Sequence, residues 1–370
     1  MGEVVIGWVL GADLRDPGLL EAYTEARARF LRVLAEQFPE YRWKTAYAER
    51  RVHLPRGGLA AVGLLEMAVD EALHRHWDFA FTIVPNELLP HHRPTAMGVA
   101  SKALEAGVIS TSRLGSGEEL IERIVALALH LFGHFFGLPH RDEGPMRPVS
   151  DPEELRVEPF SEAERAAVRQ YIENVVLVRL EEIRPRWNAW SFYLETFFQD
   201  PRAVLEAIWE HRPWRMPLFL GRLTAAAAVS TVYLLMSSDA WALAAHLTPG
   251  PLLLGTVLAL FAASLFLFLG QDVGALGHER AWREQLARAR MVLFGALFLG
   301  LAALWAVVLA LTLLAAWALP HSLLVAWAGG TPRWSFALFA AMVGVVAAAL
   351  GGNLEEEAEL KAELFIDEEL

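Results

Sequence analysis

The sequence predicts a mixed α/β domain followed by an all-α bundle of four membrane-spanning helices. Three observations carry this. Apolar strand-like runs alternate with helical patterns before residue 200, long uncharged stretches fill residues 218–350, and the eleven residues His130 to His140 hold three histidines. Strands separated by helices indicate a sheet with helices packed on it, and about twenty apolar residues suffice to cross a bilayer.

Val4 to Leu10 reads as a buried strand. Pro17 to Phe38 reads as an amphipathic helix with Asp16 as its cap and Pro17 in its first position, where proline's fixed φ suits the helix and its missing N–H costs nothing. Trp43 to Arg51 alternates like a strand, Gly57 to Arg75 has a helical period, and Phe79 to Val84 is a second apolar strand. Val108 to Ser112 is short and β-rich. Ser116 with Glu119 has capping-box spacing, and the nearly all-apolar run from Leu120 to Phe136 predicts a buried helix. Ser161 with Glu164 repeats the capping box for a helix to about Glu182, and Asp200-Pro201 opens another to about Glu210. Glu71 and Arg75 form an i,i+4 pair that needs no function. His74 and His76, like His91, His92 and Arg93, read as ordinary surface chemistry.

The histidines stand at offsets 0, 4 and 10, with Gly137 at offset 7. His130 and His134 fall on one helical face, and glycine lets the chain leave the helix in the left-handed conformation. The turn then returns His140 to the same point. Three neutral imidazoles around an open fourth position make a common catalytic zinc arrangement, so Zn2+ is the expected cofactor. The position after the first histidine, where a zinc hydrolase of the H-E-x-x-H type carries its general base, is Leu131.

The run His130-Leu-Phe-Gly-His134-Phe-Phe-Gly137-Leu-Pro-His140 resembles the metzincin zinc motif. Its flanks, with Trp77-Asp-Phe-Ala-Phe-Thr-Ile-Val-Pro85 and Val108-Ile-Ser-Thr-Ser-Arg-Leu114 upstream, are most similar to the archaemetzincins. The resemblance covers roughly residues 1–184. It implies an α/β metzincin-like zinc-peptidase fold with His130, His134 and His140 as metal ligands. The family's catalytic glutamate corresponds to Leu131, and its two cysteines correspond to Arg141 and Met146. Its Met-turn methionine falls at Pro148, so Met146 lies beneath the metal only if the loop is two residues shorter. With no cysteine in the chain, the family's cysteine-based second zinc site is excluded.

Leucine can neither take a proton from a metal-bound water nor deliver one to a leaving amine, and such transfer is worth about 10²–10⁴-fold. Asp142 and Glu143, just past His140, are the candidates for a substitute base; both also suit a solvated turn.

Pro251 to Gly270 and Met291 to Leu319 contain no charge, and the second run spans twenty-nine residues. Trp334 to Leu350 and Leu218 to Met236 complete four candidate spans. Arg212, Arg215 and Arg222 flank the first, and Arg280, Arg283, Arg288 and Arg290 fill the second connection, whereas residues 237–250 have no Lys or Arg. Under the positive-inside rule both the N-terminal domain and residues 351–370 are cytoplasmic, the latter as an acidic, solvated tail. Met1 to Gly11 has no signal-peptide pattern. Residues 185–215 form an aromatic-rich helical connector. Its Trp187, Trp190, Phe192, Tyr193, Phe197, Phe198, Trp209 and Trp214 suit either a bilayer interface or packing on the domain.

These features predict an integral protein of the cytoplasmic membrane that binds zinc, is catalytically inactive or strongly impaired, and has a peptide- or protein-binding or regulatory role. Two alternatives stand: an active membrane-tethered zinc peptidase with a non-standard base, and a small channel or transporter with a regulatory soluble domain. Against transport, Arg222 is the one ionisable residue in the four core stretches, and intramembrane charges usually mark such paths. The net charge of −12 offers no basic surface for nucleic acid.

Overall fold

The computed structural model describes residues 2–11, 16–50, 58–89, 95–177, 189–199, 201–274, 284–320, 322, 325, 332–353 and 357–370. Two compact units divide the chain: Met1–Ala207 with Leu276–Arg290 and Phe365–Leu370, and Ile208–Ala275 with Met291–Leu364.

The first unit is built on a six-stranded sheet. Its strands are β1 (Glu3–Gly11), β2 (Arg42–Arg50), β4 (Phe79–Val84), β6 (Gly98–Ser101), β7 (Ala106–Ser110) and β8 (Glu368–Glu369), in the order β2-β1-β4-β7-β6-β8. The pairs from β2 to β7 are parallel, and β6 runs antiparallel to both β7 and β8. Two short strands, β3 (Leu59–Ala60) and β5 (Leu88–Leu89), pair separately. Every residue of β4 is buried, as expected of a central parallel strand covered on both faces.

Helices α1 (Pro17–Gln37) and α3 (Gly117–Phe135) cover one face and α2 (Ala61–Arg75) the other. Successive strand residues point to opposite faces. Phe81 meets Phe30 of α1 edge-on at 5.9 Å, while Thr82 donates to Leu64 O of α2 at 2.9 Å. Phe30 also meets Trp8 at 5.7 Å and Phe132 of α3 at 5.9 Å, so aromatic rings join the sheet to both helices. Arg75 and Arg50 both bond the buried Glu71, Arg75 Nε at 2.6 Å. The predicted pair is therefore half of a two-arginine clamp.

Several elements differ from the sequence expectation. Asp16 caps α1 through Gly18 N as expected, and α4 (Glu162–Tyr171) carries the complete Ser161–Glu164 capping box. Ser116 occupies the N-cap of α3 without a side-chain bond, and the Glu119 side chain, the other half of the expected box, pairs with Arg123 at 2.6 Å. Helix α2 begins at Ala61, after β3. The α4 helix passes into a π-helical turn, Ile172–Val176. His91, His92, Arg93 and Trp187 lie outside the described residues.

Strands β6 and β8 were not anticipated. The stretch expected as a solvated acidic tail instead supplies a sheet strand in which Glu369 and Leu370 are buried. Acidic composition concealed it: only two residues carry the ladder, and their partners lie far away in sequence.

The second unit is helical. Arg333–Gly352 packs against Gly221–Leu235 and Pro249–Gly270. The approach is close: a Cβ on Gly351 would stand 2.4 Å from Ala226 Cβ, the small-residue contact that membrane helices use. Trp241 stacks on Phe336 with ring centroids 3.7 Å apart. Among the described residues three helices are long and apolar enough to cross a membrane, Pro249–Gly270, Leu286–Ala318 and Arg333–Gly352, and a fourth span arises if a bent pair counts as one. The expected first span, Leu218–Met236, overlaps that pair, Val204–Phe219 with Gly221–Leu235. The chain bends by 62° between Phe219 and Gly221, where Leu220 leaves helical geometry at φ −90, ψ 86. Leu253, Leu254, Val257, Leu258 and Phe261 all face outward, an apolar surface larger than water tolerates on a soluble helix.

Candidate metal centre

Helix α3 carries the first two histidines. Its spacing stacks His130 and His134 one turn apart on the face that meets the loop, and both are buried. The helix ends at Phe136, and Gly137 adopts φ 69, the left-handed step that only glycine takes cheaply. The chain then reverses to bring in His140. The Nε2 atoms of His134 and His130 lie 2.9 Å apart, and those of His130 and His140 lie 3.2 Å apart. Donor atoms held at about 2.0–2.1 Å around a tetrahedral zinc stand roughly 3.3 Å from one another. Two of the three pairs thus stand close to the separation that one small cation requires, and one donor atom from each histidine lies within 4.8 Å of the other two.

The electrostatics suit a metal as well. Burial pushes the His134 imidazole down from 6.5 to about 2, and the neighbouring His130 and His140 add to the shift. A ligand imidazole must be neutral, and this environment keeps it so.

The loop after His140 is pinned from several sides. Arg141 N donates to Met146 O at 3.0 Å, closing a tight turn through Gly144 at φ 81. Gly144 N donates to Glu158 Oε2 at 3.0 Å, and Arg141 Nε lies 3.5 Å from Glu164 Oε1. Met146 is fully buried, with its sulfur against Gly133 between the two helical histidines. A Cβ on Gly133 would come 2.1 Å from that sulfur. The methionine therefore lies beneath the histidine helix, and Arg141 holds the loop through ion pairing.

Leu131 is fully buried and points away toward the sheet, its Cδ1 against Gly98 of β6. Asp142 and Glu143 are exposed, and neither belongs to a metal-capable cluster among the described residues. Glu368 on β8 was missed by sequence reasoning. Its Oε1 lies 3.9 Å from His140 Nε2. No local pattern marks that glutamate, one of many acidic residues in its segment.

No protein-family model matches the chain, and no curated protein sequence matches it. Among solved structures, it is similar to the archaemetzincin of Methanopyrus kandleri, with 22% identity over 46% of this chain and 96% of that one and a TM-score of 0.37. The archaemetzincin of Archaeoglobus fulgidus gives 16% identity over 44% and 99%, with a TM-score of 0.32. A zinc-dependent peptidase of Methanocorpusculum labreanum gives 16% over 44% and 99%, with a TM-score of 0.34. The chain itself carries a mixed α/β domain with a three-histidine cluster able to hold a metal ion, followed by long apolar helices.

Proposed function

We propose that this protein is a membrane-anchored, zinc-binding, metzincin-like protein that recognises a peptide or protein and has little or no peptidase activity. One observation carries the reading: three imidazole nitrogens converge while the position of the usual base is a leucine buried against the sheet. His130, His134 and His140 would hold the ion. A bound zinc would supply Lewis acidity there. The chain's own groups do the rest: the buried helix fixes two ligands, Gly137 aims the third, and Met146 supports them from below. The α3 helix contributes no carboxylate to move a proton at the site.

The membrane reading is four crossings with the first unit cytoplasmic. Counting the bent pair as one span gives four crossings. The arginine distribution supports the cytoplasmic side.

The test is metal analysis of the purified full-length protein, combined with a mixed-peptide cleavage screen with and without chelator. About one zinc per chain and no chelator-sensitive cleavage is the expected result. Turnover at ordinary enzyme rates, above about 1 per second and lost in His134→Ala, would instead support an active peptidase with another base.

A further inference from the structure

We propose that Glu368 is the fourth ligand of the metal site, delivered by a strand of the same chain that covers the edge of the sheet. The inference rests on the zinc-binding reading above and extends it to the ion's remaining coordination position.

Strand β8 is seated by backbone bonds. Glu369 lies opposite Val99 and Glu368 opposite Ala100 in the antiparallel register. Leu370 N donates to Gly98 O at 2.9 Å, Asp367 N donates to Ala100 O at 3.1 Å, and Met97 N donates to Leu370 O. Lys102 N donates to the Asp367 carboxylate at 2.6 Å. An open β6 edge would invite pairing with another chain, and β8 occupies it.

Strand alternation decides where Glu368 points. Leu370 joins the apolar core shared by α1 and α3, and residues two apart on a strand share a face. Glu368 therefore faces the α3 side too. Strand β6 passes directly beneath that helix, since Gly98 touches Leu131, the neighbour of His130. The Glu368 carboxylate accordingly arrives 3.9 Å from His140 Nε2, roughly half an ångström beyond the spacing of two ligands on one tetrahedral zinc. Glu368 stands outside the three-histidine cluster as it is placed, so ligation requires its side chain to swing from beside His140 toward His130 and His134.

The donor chemistry agrees. Three neutral imidazoles leave a divalent ion with its full charge, and a carboxylate oxygen is an ordinary zinc ligand at about 2.0–2.2 Å. Zinc sites with four protein ligands are structural, whereas catalytic sites keep one position open for water. Glu368 closes this one, so the metal ties β8 to the sheet in place of a nucleophilic water.

The experiment uses the full-length protein in detergent, stripped of metal and reloaded with Zn2+ or Co2+. The variants are Glu368→Gln, which preserves the strand, and Glu368→Ala, which opens the position. Both are expected to bind Zn2+ about tenfold or more weakly than the native protein. Added acetate should alter the visible Co2+ spectrum of Glu368→Ala but leave the native spectrum unchanged. Zinc should slow backbone amide exchange across residues 97–101 in the native protein and do so less in Glu368→Gln. Unchanged zinc affinity in both variants, or an acetate response of equal size in the native protein, overturns the proposal. So does a native peptidase activity that Glu368→Gln abolishes with metal retained, because the carboxylate would then be acting as a base. A native protein that takes up no zinc would instead defeat the metal-binding reading itself.

Discussion

The Met146 sulfur occupies the space beside Gly133 that any larger residue there would need, 2.1 Å from where a Cβ would stand. This contact fixes the helix carrying His130 and His134 against the loop carrying His140. Gly133→Ala is expected to displace the methionine and cost about 1–3 kcal/mol, as overpacking a filled core does. Zinc affinity should fall with it. Thermal unfolding of the first unit reads the effect, and an unchanged midpoint would show that the methionine moves aside freely.

Acid should destabilise the first unit through His134. Its imidazole is pushed down to about 2 from 6.5, so between those values the unfolded chain binds a proton that the folded one refuses. Stability is then greatest above 6.5 and declines as pH falls, by up to about 1.4 kcal/mol per pH unit for one proton. Unfolding of chelated protein between pH 7.5 and 5 measures the slope. His134→Phe is expected to flatten it; an equal slope in the variant would move the effect to other groups.

Leu131→Glu is expected to keep the metal and to lower stability, because Leu131 is fully buried against Gly98 and an unpaired carboxylate there is costly. A melting point several degrees lower, with about one zinc retained, is the anticipated outcome. Restored hydrolysis at ordinary enzyme rates without loss of stability would mean that the side chain turns into the site and finds partners there.

Topology can be read by reporters. A fusion within residues 237–247 and one after residue 370 should report opposite sides of the membrane, with the second cytoplasmic. The same side for both would contradict the four-crossing arrangement.

The sequence was most legible where local physics decides the outcome. The spacing of His130, His134, Gly137 and His140 dictates convergence, because the helix period stacks the first two and a left-handed glycine turns the third inward. Asp16 before Pro17, and Ser161 before Glu164, marked helix starts for the same local reason. The length of the apolar runs identified the membrane helices, since bilayer thickness is a fixed ruler.

Three features only the tertiary structure decided. Ser116 has the same spacing to a glutamate as Ser161, yet its side chain makes no cap bond and the Glu119 carboxylate pairs with Arg123, an outcome invisible in a capping pattern. Gly133 reads as a helix-weakening residue until Met146 is seen filling the space beside it. Glu368 belongs to an acidic stretch whose composition suggests solvent, but its strand is set by backbone bonds to Gly98 and Ala100. Helix turns and caps are contracts between near neighbours and are written into short stretches of sequence. An edge strand is held by generic backbone groups brought from far along the chain, so nothing in the residues of β8 announces the partner that folding supplies.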